Sequence, residues 1–288
     1  MAGMSVPRRS GVLGVSVIAS PRARSIAYSR FRPSPAQAFM NLARPIHEQF
    51  SVDRGAAHGQ GWREGTEAGV ARLRVFVEAG LVAGGRIALD ARAQHYLRHV
   101  MRARTGDALI LFNGQDGEWR ASLELAGKAR ADAVLAECLR PQAPEPGPWL
   151  LAAALKRAPM DWLAEKACEL GAALLWPVST KRTVVDRVNV ERLRTIAIEA
   201  AEQCQRLAVT EIHAPARLDA ALGSWPMDRR LILCDETGAS PPIAEALTRL
   251  DARPESLAIL TGPEGGFEPG ELDALRKLSF VTTVGLGP

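Results

Sequence analysis

Apolar residues follow two different rhythms along the chain. Between Leu73 and Arg140 they come in short runs and alternations. The segments LRVFV (73–77), GGRIALD (84–90), ALILF (108–112), EWRASLEL (118–125) and KARADAVLAECL (128–139) predict strands. NGQDG (113–117) supplies the turn chemistry between two of them. The stretch ARAQHYLRHVMRARTGD is different. Ala93, Leu97, Val100 and Met101 fall at i, i+4, i+7 and i+8, which predicts one helix stopping at Thr105-Gly106-Asp107. Five strands and a helix predict a small β-barrel.

From Trp149 onward, strand-like and helix-like patterns alternate. WLLAAAL, ALLWPV, RRLILCDE, SLAILT and FVTTVGL predict buried strands. The segments between them predict helices: one with Pro159 at its first position, one capped by Asn189, one capped by Ser240 with Pro241 next, and a short one in EPGELDALRKL. Repeated βα units imply a parallel sheet covered on both faces, with ligands bound beyond the carboxyl ends of its strands. PQAPEPGP (141–148), with four prolines in eight residues, predicts a stiff linker between the two modules.

Charge sharpens this division. Residues 1–71 hold nine arginines, no lysine and four acids. Residues 72–140 hold eleven basic and eight acidic groups, and residues 141–288 hold sixteen and twenty. A basic front on a mildly acidic back fits a module that reads a polyanion, although solvated arginines give the same balance. The Arg/Ser-rich, acid-poor start resembles a poor signal peptide or a transit peptide. The Ala/Arg/Gly richness favours a start codon placed too far upstream, with a disordered basic tail as the main alternative, and residues 1–71 are expected to add little to the fold. No apolar run reaches ~18 residues, so no membrane partner is expected. Cys138, Cys168, Cys204 and Cys234 form no C-x-x-C pair and are expected to be free, mostly buried thiols. His95 and His99 stand i, i+4 with no third ligand nearby, so no metal is expected.

The loop in AILTGPEGGFEPGEL (258–272) is the strongest candidate for chemistry. It follows a strand and precedes a helix, but lacks the G-K-[ST] of a phosphate loop, and Glu264 would repel a phosphate. Gly262, Gly265 and Gly266 permit close backbone approach around Pro263. Such a loop suits a neutral or cationic ligand with hydrogen-bonding edges, and also suits a plain helix-entry turn.

Several stretches together resemble one family: HYLRHVMRARTGD, EKACELGAALLWPVSTKRT, EAAEQCQRL, CDETGAS, LTGPEGGFEPGEL and VGLGP. In this order they are similar to the bacterial 16S rRNA (uracil-N3)-methyltransferases of the RsmE type, in the SPOUT superfamily. The resemblance implies an α/β fold: a PUA-like or OB-like barrel over 72–140 that docks rRNA, and a SPOUT methyltransferase domain over 149–288 with a parallel sheet and a trefoil knot. It implies S-adenosyl-L-methionine as cofactor, the small ribosomal subunit as partner, a homodimer through the second domain, and work in the cytoplasm.

The resemblance also implies residues. Cofactor contacts fall to Leu233, to Thr261, Gly262, Pro263, Glu264, Gly265 and Gly266, and to Leu286 and Gly287. Arg206 is the candidate cation for the imidate charge that develops as uracil N3 attacks, and Glu202 the weaker candidate base. Each has a plainer reading, such as an i, i+4 pair on one helix. Arg98, Arg102, Arg104, Lys166 and Arg182 are candidate RNA contacts. The family pattern continues past L-G-P with R-I-L-R-x-E-T-A and a helix, whereas this sequence stops at Pro288. The expectation is therefore an incomplete knot and pocket, with weak cofactor binding in this form. Three rivals stay open: a ribose 2′-O methyltransferase, although no N-x-G-x-x-R stretch is present, an RNA-binding protein without catalysis, and a nucleotide-binding regulator using the glycine loop, which Glu264 and the absent lysine disfavour.

Overall fold

A computed structural model describes residues 73–127, 130–250 and 253–286. The expectations for residues 1–71 fall outside these. The first sheet has five strands: β1 (Leu73–Phe76), β2 (Arg86–Ala88), β3 (Ala108–Phe112), β4 (Glu118–Ala126) and β5 (Arg130–Arg140), in the order β1-β3-β4-β5-β2. β1 runs parallel to β3, and the other pairings are antiparallel. Alternation along these strands sends Leu109, Leu111, Leu123, Ala133 and Leu135 into one core with Leu97.

The helix of this module is shorter than its apolar spacing predicts. α1 covers only Ala91–His95, with the Asp90 side chain accepting from the Ala93 amide. A single wide turn, Tyr96–Val100, follows, and Arg102 then takes φ 53°. That left-handed residue breaks the periodic pattern before Thr105 is reached.

The second sheet is parallel throughout. Its elements are β6 (Trp149–Ala153), α2 (Arg157–Glu169), β7 (Leu174–Ser179), α3 (Val190–Cys204), β8 (Glu211–Ile212), β9 (Ala216–Arg217), α4 (Leu218–Gly223), β10 (Arg230–Cys234), α5 (Ile243–Arg249), β11 (Leu257–Thr261), α6 (Pro269–Arg276) and β12 (Val281–Val284). The strand order is β12-β10-β11-β6-β7-β8, with β9 also on β7. Leu151, Leu231, Leu233 and Leu260 are fully buried, as central parallel strands covered on both faces require. Residues 141–148 form no helix or strand between the two sheets.

Three local expectations differ from the structure. Pro159 is the third residue of α2, not the first, because Lys156 sits at the cap. Ser240 does not cap α5. Its hydroxyl donates to Asp235 Oδ2 at 2.7 Å, and the helix begins only after Pro242. A residue preceding proline is pushed out of the helical region, so Pro241 cannot open the helix. The strands β8 and β9, two residues each, and the six-residue helix α4 are too short to show in the pattern. Asn189 does cap α3, accepting from the Arg192 amide at 3.0 Å. The four cysteines are free, but Cys138 is exposed rather than buried because it lies on an outward position of β5.

Candidate cofactor loop and its opposite edge

In a parallel sheet every strand points the same way, so the domain has a carboxyl edge and an amino edge. The three neighbouring strands β12, β10 and β11 end together at the carboxyl edge. The segments after them touch one another. The Asp235 amide donates to the Val284 carbonyl at 2.8 Å, Gly285 donates to Pro241 at 2.8 Å, and Ile243 donates to Gly285 at 3.0 Å. The Glu236 carboxylate accepts from the Phe267 amide at 2.8 Å, which ties the segment after β10 to the glycine loop after β11.

The glycine loop is shaped from both sides. Gly266 has φ 68°, and any Cβ there would collide with the Glu236 carboxylate. The residue is glycine for two independent reasons, backbone conformation and space. On the other side, Arg182 Nη1 donates to the Gly265 carbonyl at 2.9 Å. Its neighbour Lys181 pairs with Glu268 at 3.0 Å, and the Lys181 amide donates to Glu271 at 3.2 Å. The segment after β7 is therefore strapped to the entry of α6. Lys181, as the leading cause, holds the Glu268 carboxyl below its ordinary value.

Beneath the loop lies a buried charge. The Asp235 side chain is fully buried, 2.6 Å from Arg276 Nη2, and accepts from Ser240 and from the Thr237 amide at 2.9 Å. Burial alone would raise this carboxyl. The hydrogen bonds from Ser240, Arg276 and Thr237 outweigh it and hold Asp235 well below the usual carboxylate range. Burial pushes the adjacent Cys234 thiol up to about 11, so it stays protonated at neutral pH and is no nucleophile.

The amino edge is built differently. The guanidinium of Arg206 lies against the Cα of Gly171, where a Cβ would meet it at 2.7 Å. Gly171 itself sits at φ 85°, just before β7. Arg206 Nη2 pairs with Glu145 at 2.9 Å, and Glu145 also accepts from the Leu207 amide at 3.1 Å. Glu202 accepts from the Phe76 amide of the first sheet at 2.9 Å and stands 3.4 Å from Arg92.

Residues 144–288 match the family described as RNA methyltransferase domain, and residues 89–136 match the RNA methyltransferase PUA domain. The ribosomal RNA small subunit methyltransferase E of Synechocystis sp. is 30% identical over 214 residues, covering 73% of this chain and 70% of the relative. The chain belongs to the ribosomal RNA small subunit methyltransferase E family. The member from Rickettsia conorii is 29% identical, covering 74% of this chain and 87% of the relative. A Legionella pneumophila protein solved with its bound cofactor SAM superimposes with a TM-score of 0.67 at 28% identity, covering 76% of this chain and 90% of the other.

Within this family fold, the residues expected at the cofactor come together and those expected for catalysis do not join them. Leu233, Thr261, Gly262, Pro263, Glu264, Gly265, Gly266 and Leu286 all stand at the carboxyl edge. Gly287 lies outside the described residues. Leu233 is fully buried and lies in register between Leu260 and Thr283, one residue before the end of β10. Arg182 joins the same cluster through Gly265. Arg206 and Glu202 stand at the amino edge, a strand length of roughly 15 Å away. Helix α3 runs back antiparallel to the strands, so its last turn is carried away from the carboxyl edge. Within one chain, the cation and base expected from these two residues are not delivered to the loop. Lys166 lies on the last turn of α2 at that same amino edge, and its ammonium is held by Glu165 and Glu169, both at 2.8 Å.

Arg98 donates to the Arg130 carbonyl at 2.6 Å, and Arg102 and Arg104 are exposed on the first sheet's module. The pattern of the sequence missed Glu236, Asp235, Arg276 and Lys181. Asp235 and Glu236 lie in CDETGAS and Lys181 in the stretch ending STKRT, so the resemblance reached three of the four without assigning them a role. Among the described residues no group of three metal-ligating side chains occurs, and the rings of His95 and His99 lie 4.7 Å apart, tilted by 39°.

Proposed function

We propose that this protein methylates N3 of a uridine in 16S rRNA of the small ribosomal subunit, with S-adenosyl-L-methionine held at the carboxyl edge of the parallel sheet. The observation that carries this reading is the meeting of three strand ends around the loop 261–266 in a chain of this family. The residues present fit such a cofactor. The loop offers backbone groups rather than a cationic phosphate cradle. A Cβ at Gly266 would fill space that the loop keeps for Glu236. Acidic Glu236 and Glu264 suit a cationic ligand.

The bound cofactor supplies an electrophilic methyl on a sulfonium. The protein's own part is alignment and charge. Glu236 and Arg182 fix the loop from opposite sides, so a ligand held by its backbone is presented in one orientation. Uracil N3 must lose its imide proton at or before attack, and the ring oxygens then carry the negative charge. Lys181 and Arg182, exposed beside the loop, supply positive charge where the ribose-phosphate chain and the developing imidate would approach. Arg98, Arg102 and Arg104 extend the basic surface on the first module and would hold rRNA phosphates without reading sequence. An rRNA substrate sets the work in the cytoplasm, and a homodimer through the second domain belongs to the same proposal.

Reverse transcription of 16S rRNA from cells with and without the gene tests it. N3 methylation blocks Watson–Crick pairing, so the wild-type strain gives one stop that the deletion strain lacks. Transfer of labelled methyl from S-adenosylmethionine to small subunits of the deletion strain should restore that stop. A stop pattern identical in the two strains would overturn the proposal. Label recovered on ribose would replace it with a 2′-O reaction.

A further inference from the structure

The last turn of α3 faces the first sheet, and its open carbonyls are taken by two arginines. A helix ends with unpaired carbonyls and a partial negative charge, which cations complement. Here the turn is tightened by Gln205 at φ 60°. Arg74, on β1, is 9% exposed. Its Nη1 donates to the Ala201 carbonyl and its Nη2 to the Arg206 carbonyl, both at 2.6 Å. Its Nε donates to Glu118 at 2.7 Å, and its guanidinium lies 3.5 Å from the centre of the Phe112 ring. Arg140, at the end of β5, donates to the Gln205 carbonyl at 2.8 Å and holds both oxygens of Glu118, at 2.6 and 2.9 Å.

Every donor on the buried Arg74 head that these bonds use thus runs either into the first sheet or across to α3. Glu118 is the pivot. Burial alone would raise its carboxyl, and hydrogen bonds from Arg140 and Arg74 hold it below its ordinary value. Further contacts repeat the pattern along the same helix: Phe76 to Glu202, Arg92 to Glu199 at 2.7 Å, and Arg194 to Glu78 at 2.8 Å. Phe112 and Phe76 pack with the small residues Ala197, Ala200 and Ala201, with Cys168 and with the partly buried Val209 and Ile212, and a cavity of about 330 Å³ opens beside them, lined by Phe76, Ile87, Arg92, Thr195 and Ile198 among others.

We propose that Arg74 and Arg140 are positioning residues for the methylation reaction: they lock the first module onto the final turn of α3, so that rRNA held on the first module meets the glycine loop at a fixed spacing. The stretch EQCQR is on this account a socket for another domain. Glu202 and Arg206 serve it, Glu202 by receiving Phe76 and Arg206 by presenting its carbonyl to Arg74 while its side chain pins Glu145. The positioning role rests on the proposed function; the lock itself does not.

The experiment uses the whole protein and three variants. Arg74→Met keeps the stem's packing and removes the donors. Arg74→Lys keeps the charge but, as a point cation, cannot reach three acceptors at once. Arg140→Met is half-exposed and keeps the test open if the Arg74 variants fail to fold. In methyl transfer to small subunits from the deletion strain, KM for the subunit should rise at least tenfold for Arg74→Met and about threefold for Arg140→Met. kcat at saturating subunit and the calorimetric Kd for S-adenosylmethionine should stay within twofold. Arg74→Lys should not rescue. Small-angle scattering should show the wild type as one rigid particle and the Arg74 variants with a broadened distance distribution. An unchanged KM in a folded Arg74 variant, or a cofactor Kd that weakens in step with KM, would overturn the positioning role. If the wild type transfers no methyl to the subunit, the proposed function falls and scattering alone decides the lock. Identical scattering from wild type and variants would then sink it.

Discussion

The two edges of the parallel sheet use similar parts for different ends. Each has a glycine at positive φ with a charged side chain seated on it, Glu236 on Gly266 at the carboxyl edge and Arg206 on Gly171 at the amino edge. At the carboxyl edge Glu236 and Arg182 fix the shape of a loop whose Glu264 and Gly265 are exposed. At the amino edge they are consumed by one another and by the carbonyls of α3, leaving no free cation for chemistry in the residues concerned. The difference follows from topology. Strand ends that converge make a concave rim where a ligand can be held by backbone. A helix end facing another domain makes a socket for cations. A glycine beside a charge therefore says little about function until its edge is known.

The largest effect that separates the edges is expected from one pair of variants. Gly266→Val and Gly171→Val impose the same fault, a β-branched residue at positive φ beside an occupied site. Each should cost about 1–2 kcal/mol from backbone strain, plus the displacement of its charged neighbour. Only Gly266→Val should destroy the loop's shape, lowering methyl transfer roughly 100-fold, as misplaced reacting groups do, and abolishing measurable cofactor binding. Gly171→Val should bind the cofactor with a Kd near that of the wild type at a temperature where both are folded. Calorimetry on the pair decides this, and equal loss in both would break the comparison.

Second in size is Asp235. Its folded carboxyl titrates well below the ordinary value of about 3.9, so it stabilises the fold above that pH, and the contribution is lost as pH falls through its folded value. Asp235→Ala removes a fully buried carboxylate from a half-exposed arginine and should cost about 2–3 kcal/mol at pH 7. The gap between wild type and variant should narrow steadily below about pH 4. Urea unfolding at pH 7, 5 and 3 reads it. A gap that widens on acidification would contradict the ion pair with Arg276.

How much of this was legible beforehand follows from the same physics. The parallel sheet announced itself because central strands are apolar throughout, and WLLAA, RLILC and LAILT are such runs. The glycine loop was visible because its glycines are adjacent in sequence. The lock was not. Arg74, Glu118, Arg140 and Ala201 are scattered over 128 positions, and each alone looks like surface charge or helix filler. Glu202 and Arg206 are the opposite case. They form a compact motif in the sequence, yet α3 runs against the strands and delivers them to the far edge. Spacing along a helix fixes which face residues share, whereas the edge they reach depends on the direction of the whole element.

Arg182 should matter less than the glycine it supports. Its side chain is exposed and gives one hydrogen bond to Gly265, so Arg182→Ala should leave stability within about 1 kcal/mol. Cofactor Kd should weaken only a few-fold, because Glu236 still holds the loop. KM for the small subunit should rise more than the cofactor Kd if the residue also meets RNA phosphate, and the rise should shrink with added salt. A salt-independent change would limit Arg182 to the loop.

The smallest effect is the most discriminating. Glu202→Gln keeps an acceptor for the Phe76 amide and removes a charge. As a general base Glu202 would be indispensable, with losses of about 100-fold or more on substitution. As part of the socket it should be nearly silent in methyl transfer, within twofold of the wild type. Its stability effect should even be favourable or neutral at pH 7. Burial, the leading cause, raises the Glu202 carboxyl above its ordinary value despite the Phe76 hydrogen bond, so its ionised form costs the folded state something at neutral pH. That cost disappears as pH falls below the unfolded value of about 4.3. Any advantage of Glu202→Gln over the wild type should therefore fade between pH 7 and pH 4. A large loss of methyl transfer in a stable Glu202→Gln protein would return the residue to the chemistry and require its delivery to the loop from another chain.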